Sequence, residues 1–229
     1  MEKKVILKTS HVGKYFYDPI KFKALDDISF EVYQGEFLTL AGKSGSGKST
    51  LLYILSTMDT DYEGELFIEG KKITGQSKDK LAAIRGENIG FVFQFHYLLP
   101  EFSCLKNIMI PAMKLGKKST EEIEALAYQR LEMLDLKEQA LKPASKLSGG
   151  QQQRIAIARA LINSPKIIMC DEPTGNLDTK NTQIVFDLFK QIAREFGQTI
   201  IAVTHDLDFA KASDRTIELA DGKIISYGL

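Results

Sequence analysis

The stretch FLTLAGKSGSGKSTLLYIL constrains this chain more than any other. A continuous apolar run over Phe37–Ala41 opens into Gly42, Lys43, Ser44, Gly45, Ser46, Gly47, Lys48, Ser49 and Thr50. Leu51, Leu52, Ile54 and Leu55 then follow at helical spacing. A glycine-rich loop between a buried strand and a helix is a cradle for phosphate. Its glycines let the backbone curl so that successive N–H groups face one anion, and the helix N-terminus adds a partial positive charge. Lys48 would reach the β- and γ-phosphates of a nucleotide, and Ser49 would ligate Mg²⁺. The bland alternative is a flexible Gly/Ser turn, and Lys48-Ser49 at the head of an apolar helix argues against it.

Ligands of open α/β sheets bind outside the carboxyl ends of the strands, so further strands should end at the same site. KIIMC runs into Asp171-Glu172, and TIIAV runs into Thr204-His205-Asp206. Adjacent residues after a strand point to opposite sides, so the two carboxylates can hold different jobs. Asp171 suits the Mg²⁺ shell, directly or through water, and Glu172 suits polarising an attacking water. A merely solvated carboxylate pair and a structural histidine are the plain alternatives, and the phosphate cradle weighs against both.

The remaining pattern fits such a sheet. Ile28, Phe30 and Val32 alternate before a turn at Gln34-Gly35, and GELFIEGKKI repeats the pattern with Leu66 and Ile68 on one face. Ser119 and Glu122 have capping-box spacing, followed by Ile123, Leu126, Ala127, Leu131 and Leu134 at helical intervals. NTQIVFDLFKQIARE reads as an amphipathic helix, and TIELADGKIISYG as a hairpin turning at Asp221-Gly222. Continuous apolar strands alternating with helices predict a parallel sheet covered on both faces.

Bulk properties exclude some classes. A chain of 229 residues can bury roughly 70% of its unfolded surface without staples. Lys plus Arg and Asp plus Glu both number 30, so no basic field points to nucleic acid. Cys104 and Cys170 are too few and too far apart for a disulfide framework or metal site, which favours a reduced, cytoplasmic setting. MEKKVILKTS lacks the apolar run of a signal peptide, and no stretch reaches the ~20 apolar residues of a membrane span. Any membrane role is therefore expected to come through a partner.

KLSGGQQQRIAIARALI supplies a second signal. Ser148, Gly149 and Gly150 precede a helix whose Ile155, Ala158, Leu161 and Ile162 should be buried, giving a second anion-ready N-terminus. One nucleotide does not need two cradles, so the second should serve a nucleotide held by another subunit. An ordinary Ser N-cap with a glycine turn is the alternative.

With both motifs in place, the whole chain resembles the ATP-binding cassette family. The order of motifs matches: the phosphate loop at 42–50, Gln94 as the Q-loop glutamine, LSGGQ ending at Gln151, the Walker B strand ending in Asp171-Glu172, GNLD ending at Asp178, and the switch His205. The resemblance implies a P-loop NTPase (RecA-like) α/β core with an N-terminal antiparallel β-subdomain and an inserted α-helical subdomain. It implies one domain over 1–229, with the core at about 1–94 and 160–229 and the helical subdomain at about 95–159. It further implies a head-to-tail dimer sandwiching two MgATP, with Ser148 and Gly150 touching the γ-phosphate on the opposite loop, and Gln94 joining Ser49 and Asp171 near the metal. An aromatic upstream of the first hairpin stacks on adenine in this family; by register this is Phe16, with Tyr15 and Tyr17 beside it.

DEPTGNLD is similar to the branch that includes macrolide-export, cell-division and lipoprotein-release ATPases, and FQFHYLLPEF, THDLDFAK and IELADGKI resemble the lipoprotein-release group. Lys43 and Gln151 depart from the usual residues of this branch. The resemblance places the chain on the cytoplasmic face of the bacterial inner membrane, bound to integral permease subunits. It also gives a reading for FQFHYLLPEFSCLKNI, which is apolar yet without period and broken by Pro100. In such transporters this segment, from Phe95 to Phe102 here, lines the groove that receives a helix of the membrane subunit. Alternatively Phe95, Tyr97, Leu98 and Phe102 pack the joint between core and helical subdomain, and both readings can hold for different residues. A soluble cassette acting on DNA or ribosomes would show a coiled-coil insertion or a second cassette. A cell-division regulator stays open as a third class.

Overall fold

The computed structural model describes residues 3–211 and 213–228, with nothing said of the side chains of Leu207 and Asp208. Contacts divide the chain into two compact units, 1–81 with 190–229, and 82–189. In chain order the first contributes β1 (Val5–Phe16), β2 (Phe22–Tyr33), β3 (Phe37–Ala41), α1 (Lys48–Leu55), β4 (Glu63–Ile68) and β5 (Lys71–Lys72). The residues of α2 (Lys78–Asn88) divide between the two units. The second unit then holds β6 (Ile89–Val92), α3 (Cys104–Leu115), α4 (Thr120–Met133), α5 (Gly149–Leu161) and β7 (Ile167–Asp171). The residues of α6 (Thr179–Phe196) again divide between the units. β8 (Thr199–Thr204), α7 (Leu207–Lys211), β9 (Arg215–Ala220) and β10 (Lys223–Gly228) complete the first.

The first unit carries an antiparallel sheet in the order β2-β1-β4-β5. Its other strands run β10-β9-β3-β8, with β3 parallel to both β8 and β9. Every residue of β8 is buried, as a strand covered on both faces requires. Leu38, Leu40, Leu51, Leu52, Ile54 and Leu55 are fully buried and make the core under the phosphate loop. The hairpin falls where NG-type chemistry put it, with Asp221 at φ 48 and Gly222 at φ 74.

In the second unit β6 and β7 pair in parallel, and α3, α4 and α5 pack on one another. α4 begins at Ser119 with both capping-box bonds formed, a cap contributing about 1 kcal/mol. The sequence pattern gave α5 one buried face, but Gly150, Gln153, Ile155, Ala156, Ile157, Ala158, Ala160 and Leu161 are all buried. The helix is enclosed by α3, α4 and β6, so its apolar residues leave no single stripe. The aperiodic stretch also ends earlier than its composition suggested. Ser103 caps α3, accepting from Lys106 N at 3.2 Å, and helix begins at Cys104. Cys104 and Cys170 are buried free thiols, and burial raises the pKa of each. Among the described residues no helix is long and apolar enough to cross a membrane.

Asn107, fully buried on α3, organises the turn before that helix. Its Oδ1 accepts from Leu99 N at 2.8 Å, and its Nδ2 donates to the carbonyls of Leu99, Phe102 and Ser103 at 3.0, 3.3 and 3.1 Å. Asn107→Ala should cost about 1–3 kcal/mol by leaving buried backbone groups unsatisfied. Denaturant unfolding checks this: the midpoint should fall with the slope unchanged, and an unmoved midpoint counts against the assignment.

Candidate functional site

In the first unit, β3 delivers the phosphate loop. Gly42 has φ 146 and Gly47, the N-cap of α1, has φ 98. A Cβ on Gly42 would stand 2.2 Å from the Leu219 carbonyl, and one on Gly47 2.7 Å from that of Ala24. Neither position admits a side chain, so the loop curls tightly against its neighbours. Lys48 is buried, and its Nζ donates to the carbonyls of Gly42 and Lys43 at 2.8 Å each. Ser46 Oγ is buried with no hydrogen-bond partner among the described residues. A buried hydroxyl left unpaired is costly, so this one suits a ligand oxygen arriving in the loop. Lys43, Ser44 and Gly45 are exposed, and Ser49 and Thr50 are half-buried at the start of α1. Ala41 of β3 pairs with Thr204 of β8, so Gly42 and His205 leave adjacent parallel strands at the same level. His205 is exposed there.

At the end of β1, Tyr15 and Tyr17 lie on one side with ring centroids 6.3 Å apart and the Lys21 ammonium over both. Phe16 points the other way by strand alternation, and it is exposed.

The second unit brings the other residues together. Val92 pairs with Cys170, so Gln94 and Glu172 leave β6 and β7 at the same level. Asp171 is buried at the end of β7. Glu172 turns the chain with φ 46 and accepts from Gly175 N at 3.1 Å. Asn176 Nδ2 donates to the Gln94 carbonyl at 3.1 Å, and Gln94 Nε2 lies 3.2 Å from where a Cβ on Gly175 would be. Asp178 caps α6: its carboxylate accepts from Asn181 N and Nδ2 at 2.8 Å each. These bonds hold its pKa below the ordinary value.

Ser148 is the N-cap of α5, accepting from Gln151 N at 3.3 Å while Gln151 Oε1 accepts from Ser148 N at 3.0 Å. The ordinary-cap geometry is thus present in the chain by itself. Gln151 completes it as Glu does, which accounts for that departure. Gly150 packs so closely that a Cβ would stand 2.2 Å from Asn181 Oδ1, whereas one on Gly149 would meet nothing within 4 Å among the described residues. Packing in this chain therefore does not explain Gly149.

The elbow after Gln94 is held by polar groups that its sequence does not advertise. Arg159, late on α5, donates from Nη2 to the His96 carbonyl at 2.6 Å and from Nη1 to that of Tyr97 at 2.7 Å. Tyr97 takes the left-handed backbone at φ 46. Burial lowers the His96 pKa, against an opposing hydrogen bond with the Gln152 side chain. On this fixed backbone Phe95 and Tyr97 are 59% and 65% exposed, Leu99 and Phe102 are also exposed, and Leu98 is half-buried.

The family model for the ABC transporter matches residues 25–175. The lipoprotein-releasing system ATP-binding protein LolD of Aquifex aeolicus is 46% identical over 204 residues, 89% of this chain and 90% of that protein. The protein of the same name from Bacteroides fragilis is 46% identical over 203 residues, 89% of this chain and 94% of its own. The dimeric structure of a bacterial ABC transporter cassette superposes with a TM-score of 0.89 at 39% identity, covering 97% of each chain. A dimeric cassette in a post-hydrolysis state with ADP and Pi gives 0.89 at 38%, again with 97% of each chain covered. With the family model spanning more than half of the residues, and relatives of this identity along nearly the whole length, the chain belongs to the ABC transporter family.

Proposed function

We propose that this chain is the ATP-hydrolysing subunit of a membrane transporter that releases lipoproteins from the bacterial inner membrane towards the outer membrane. The observation that carries the hydrolytic part is strand register. Gly42 and His205 leave β3 and β8 level with one another, and Gln94 and Glu172 do the same on β6 and β7. The lipoprotein part rests on likeness to proteins named for lipoprotein release. The helical subdomain is the segment at about 95–159, set within one cassette domain whose core is about 1–94 and 160–229.

ATP is the substrate, its phosphates held by the 42–50 loop and Lys48 and its base by Phe16. The Ser46 hydroxyl, unpaired among the described residues, supports an anion in that loop. Mg²⁺, when bound with the nucleotide, would neutralise phosphate charge. Ser49, Asp171 and Gln94 offer the hydroxyl, carboxylate and amide oxygens that this hard cation prefers. Glu172 takes the proton from the attacking water as its oxygen bonds to the γ-phosphorus and the bond to the β-bridging oxygen breaks. His205 orients the γ-phosphate. Glu172→Gln should lower turnover by about 10²–10⁴, the usual worth of a general base, and leave ATP binding intact. Turnover within threefold of the unaltered protein removes that role.

Two copies act head to tail. Ser148, Gly149, Gly150 and Gln151 of one then meet the nucleotide on the loop of the other, near Asp178. Support comes from Gly149, whose open surroundings leave its lack of a side chain unused within one chain. Ser148→Arg and Lys48→Ala should each be inactive alone. When they are mixed, one composite site keeps both intact halves, so partial ATPase activity should return. A Ser148→Arg chain that is fully active as a monomer contradicts the arrangement.

The membrane subunits dock on the elbow, which seats this peripheral protein on the cytoplasmic face of the inner membrane. Large rings exposed on a backbone fixed by Arg159 and Asn107 support a preformed socket. Each apolar side chain there can contribute up to roughly 1.5–3 kcal/mol to docking. Phe102→Ala should reduce co-purification with the membrane subunits while the isolated chain keeps its melting temperature. If the same change lowers that temperature by as much as a cavity costing about 2–5 kcal/mol, the residue is core instead.

A further inference from the structure

Lys14 is a lysine whose side chain is only 5% exposed, and the phosphate chemistry does not use it. Its Nζ donates to Asp59 Oδ1 at 3.1 Å and to Asp61 Oδ2 at 3.2 Å, with the Asp61 carbonyl as a third acceptor. All three donors of the ammonium are therefore directed, which fixes it as firmly as a surface strand allows. Burial alone would lower its pKa, but the bonds and charges of the two aspartates outweigh burial and raise it, so the group stays cationic. That fixed cation stands over the ring of Phe16, 5.2 Å from its centroid.

We propose that Lys14 is a positioning residue for nucleotide recognition: its clamped ammonium occupies one face of the Phe16 ring and presents the other face to adenine. This rests on the reading that Phe16 takes the base. A benzyl side chain at the end of a strand, 43% exposed, would otherwise sample several rotamers and lose that freedom on stacking. An ammonium at cation–π distance selects one ring orientation, because the attraction is to the face and not the edge. The neighbouring rings of Tyr15 and Tyr17 have a different cation, Lys21, over them. Asp59 and Asp61, from the segment after α1, thereby contribute to base recognition without touching the nucleotide.

The test compares ATP with inorganic tripolyphosphate, both with Mg²⁺, as ligands of the full chain. Lys14→Met should weaken ATP binding about tenfold and leave tripolyphosphate binding unchanged, with KM raised and kcat at saturating ATP within twofold. Phe16→Leu should show the same pattern, and the double variant should bind ATP no worse than Phe16→Leu alone. Should Lys14→Met melt below the assay temperature, Asp61→Asn carries the comparison, because that side chain is 87% exposed and its loss only loosens the clamp. It should weaken ATP two- to threefold and spare tripolyphosphate. Equal loss of both ligands, or additive losses in the double variant, overturns the role of Lys14. If Phe16→Leu itself leaves ATP binding unchanged, it is the base-stacking reading that fails.

Discussion

The 42–50 loop is braced from outside as well as from within, and the first unit is organised around that bracing. Gly222 N donates to the Ser46 carbonyl at 3.2 Å, and the Gly222 carbonyl accepts from Asp26 N at 2.8 Å. Gly47 and Gly222 both approach the Ala24 carbonyl too closely for any side chain. The start of β2, the phosphate loop and the β9–β10 turn therefore close on a single point. The turn at Asp221-Gly222 is thus more than the end of a hairpin, because its backbone supports the loop that the strand β3 delivers. Lys48 contributes from inside by donating to Gly42 and Lys43 carbonyls, which directs the amide faces of those peptides away from it.

The second unit solves a different problem: keeping apolar rings outside without letting their backbone collapse onto them. Polar groups do the holding. Arg159 and Asn107 satisfy carbonyls from His96 to Ser103, so the elbow needs no burial of its own side chains to be ordered. Phe93 bridges inward, with its ring 4.3 Å from Phe91 and 5.2 Å from Tyr97. The result is a graded chain of aromatics from half-buried to exposed.

Much of this was legible from spacing. The phosphate loop, the Ser119 capping box, the buried strands and the hairpin turn depend on contacts within a few residues, and such contacts leave a local pattern. β1 was not read as a twelve-residue strand because shifts of register break its alternation, with His11 at φ 52 inside it. The start of α3 was hidden because Ser103 has no Glu or Gln three residues on to complete a capping box, and Lys106 stands there instead. Lys14 reads as a solvated lysine, since the carboxylates that permit its burial lie 45 and 47 residues away. Long-range polar pairing of this kind has no sequence period, and it governs the elbow as well.

Asp171 and Glu172 are neighbours in sequence that the backbone places in different settings. Strand alternation alone would point the two carboxylates apart. The backbone goes further, ending β7 with a buried Asp171 and then turning into the left-handed region at Glu172. For a residue with a Cβ that conformation costs on the order of 1–3 kcal/mol. The turn is held by Gly175 N on the Glu172 carbonyl and by Gln153 Nε2 on the Pro173 carbonyl at 2.7 Å. Glycine at 172 would relieve the strain at no cost to either bond, since both use main-chain oxygens. What the Glu172 carboxylate contributes is therefore separate from the bonds that hold the turn, and that turn sets it level with Gln94 and beside the 175–178 loop.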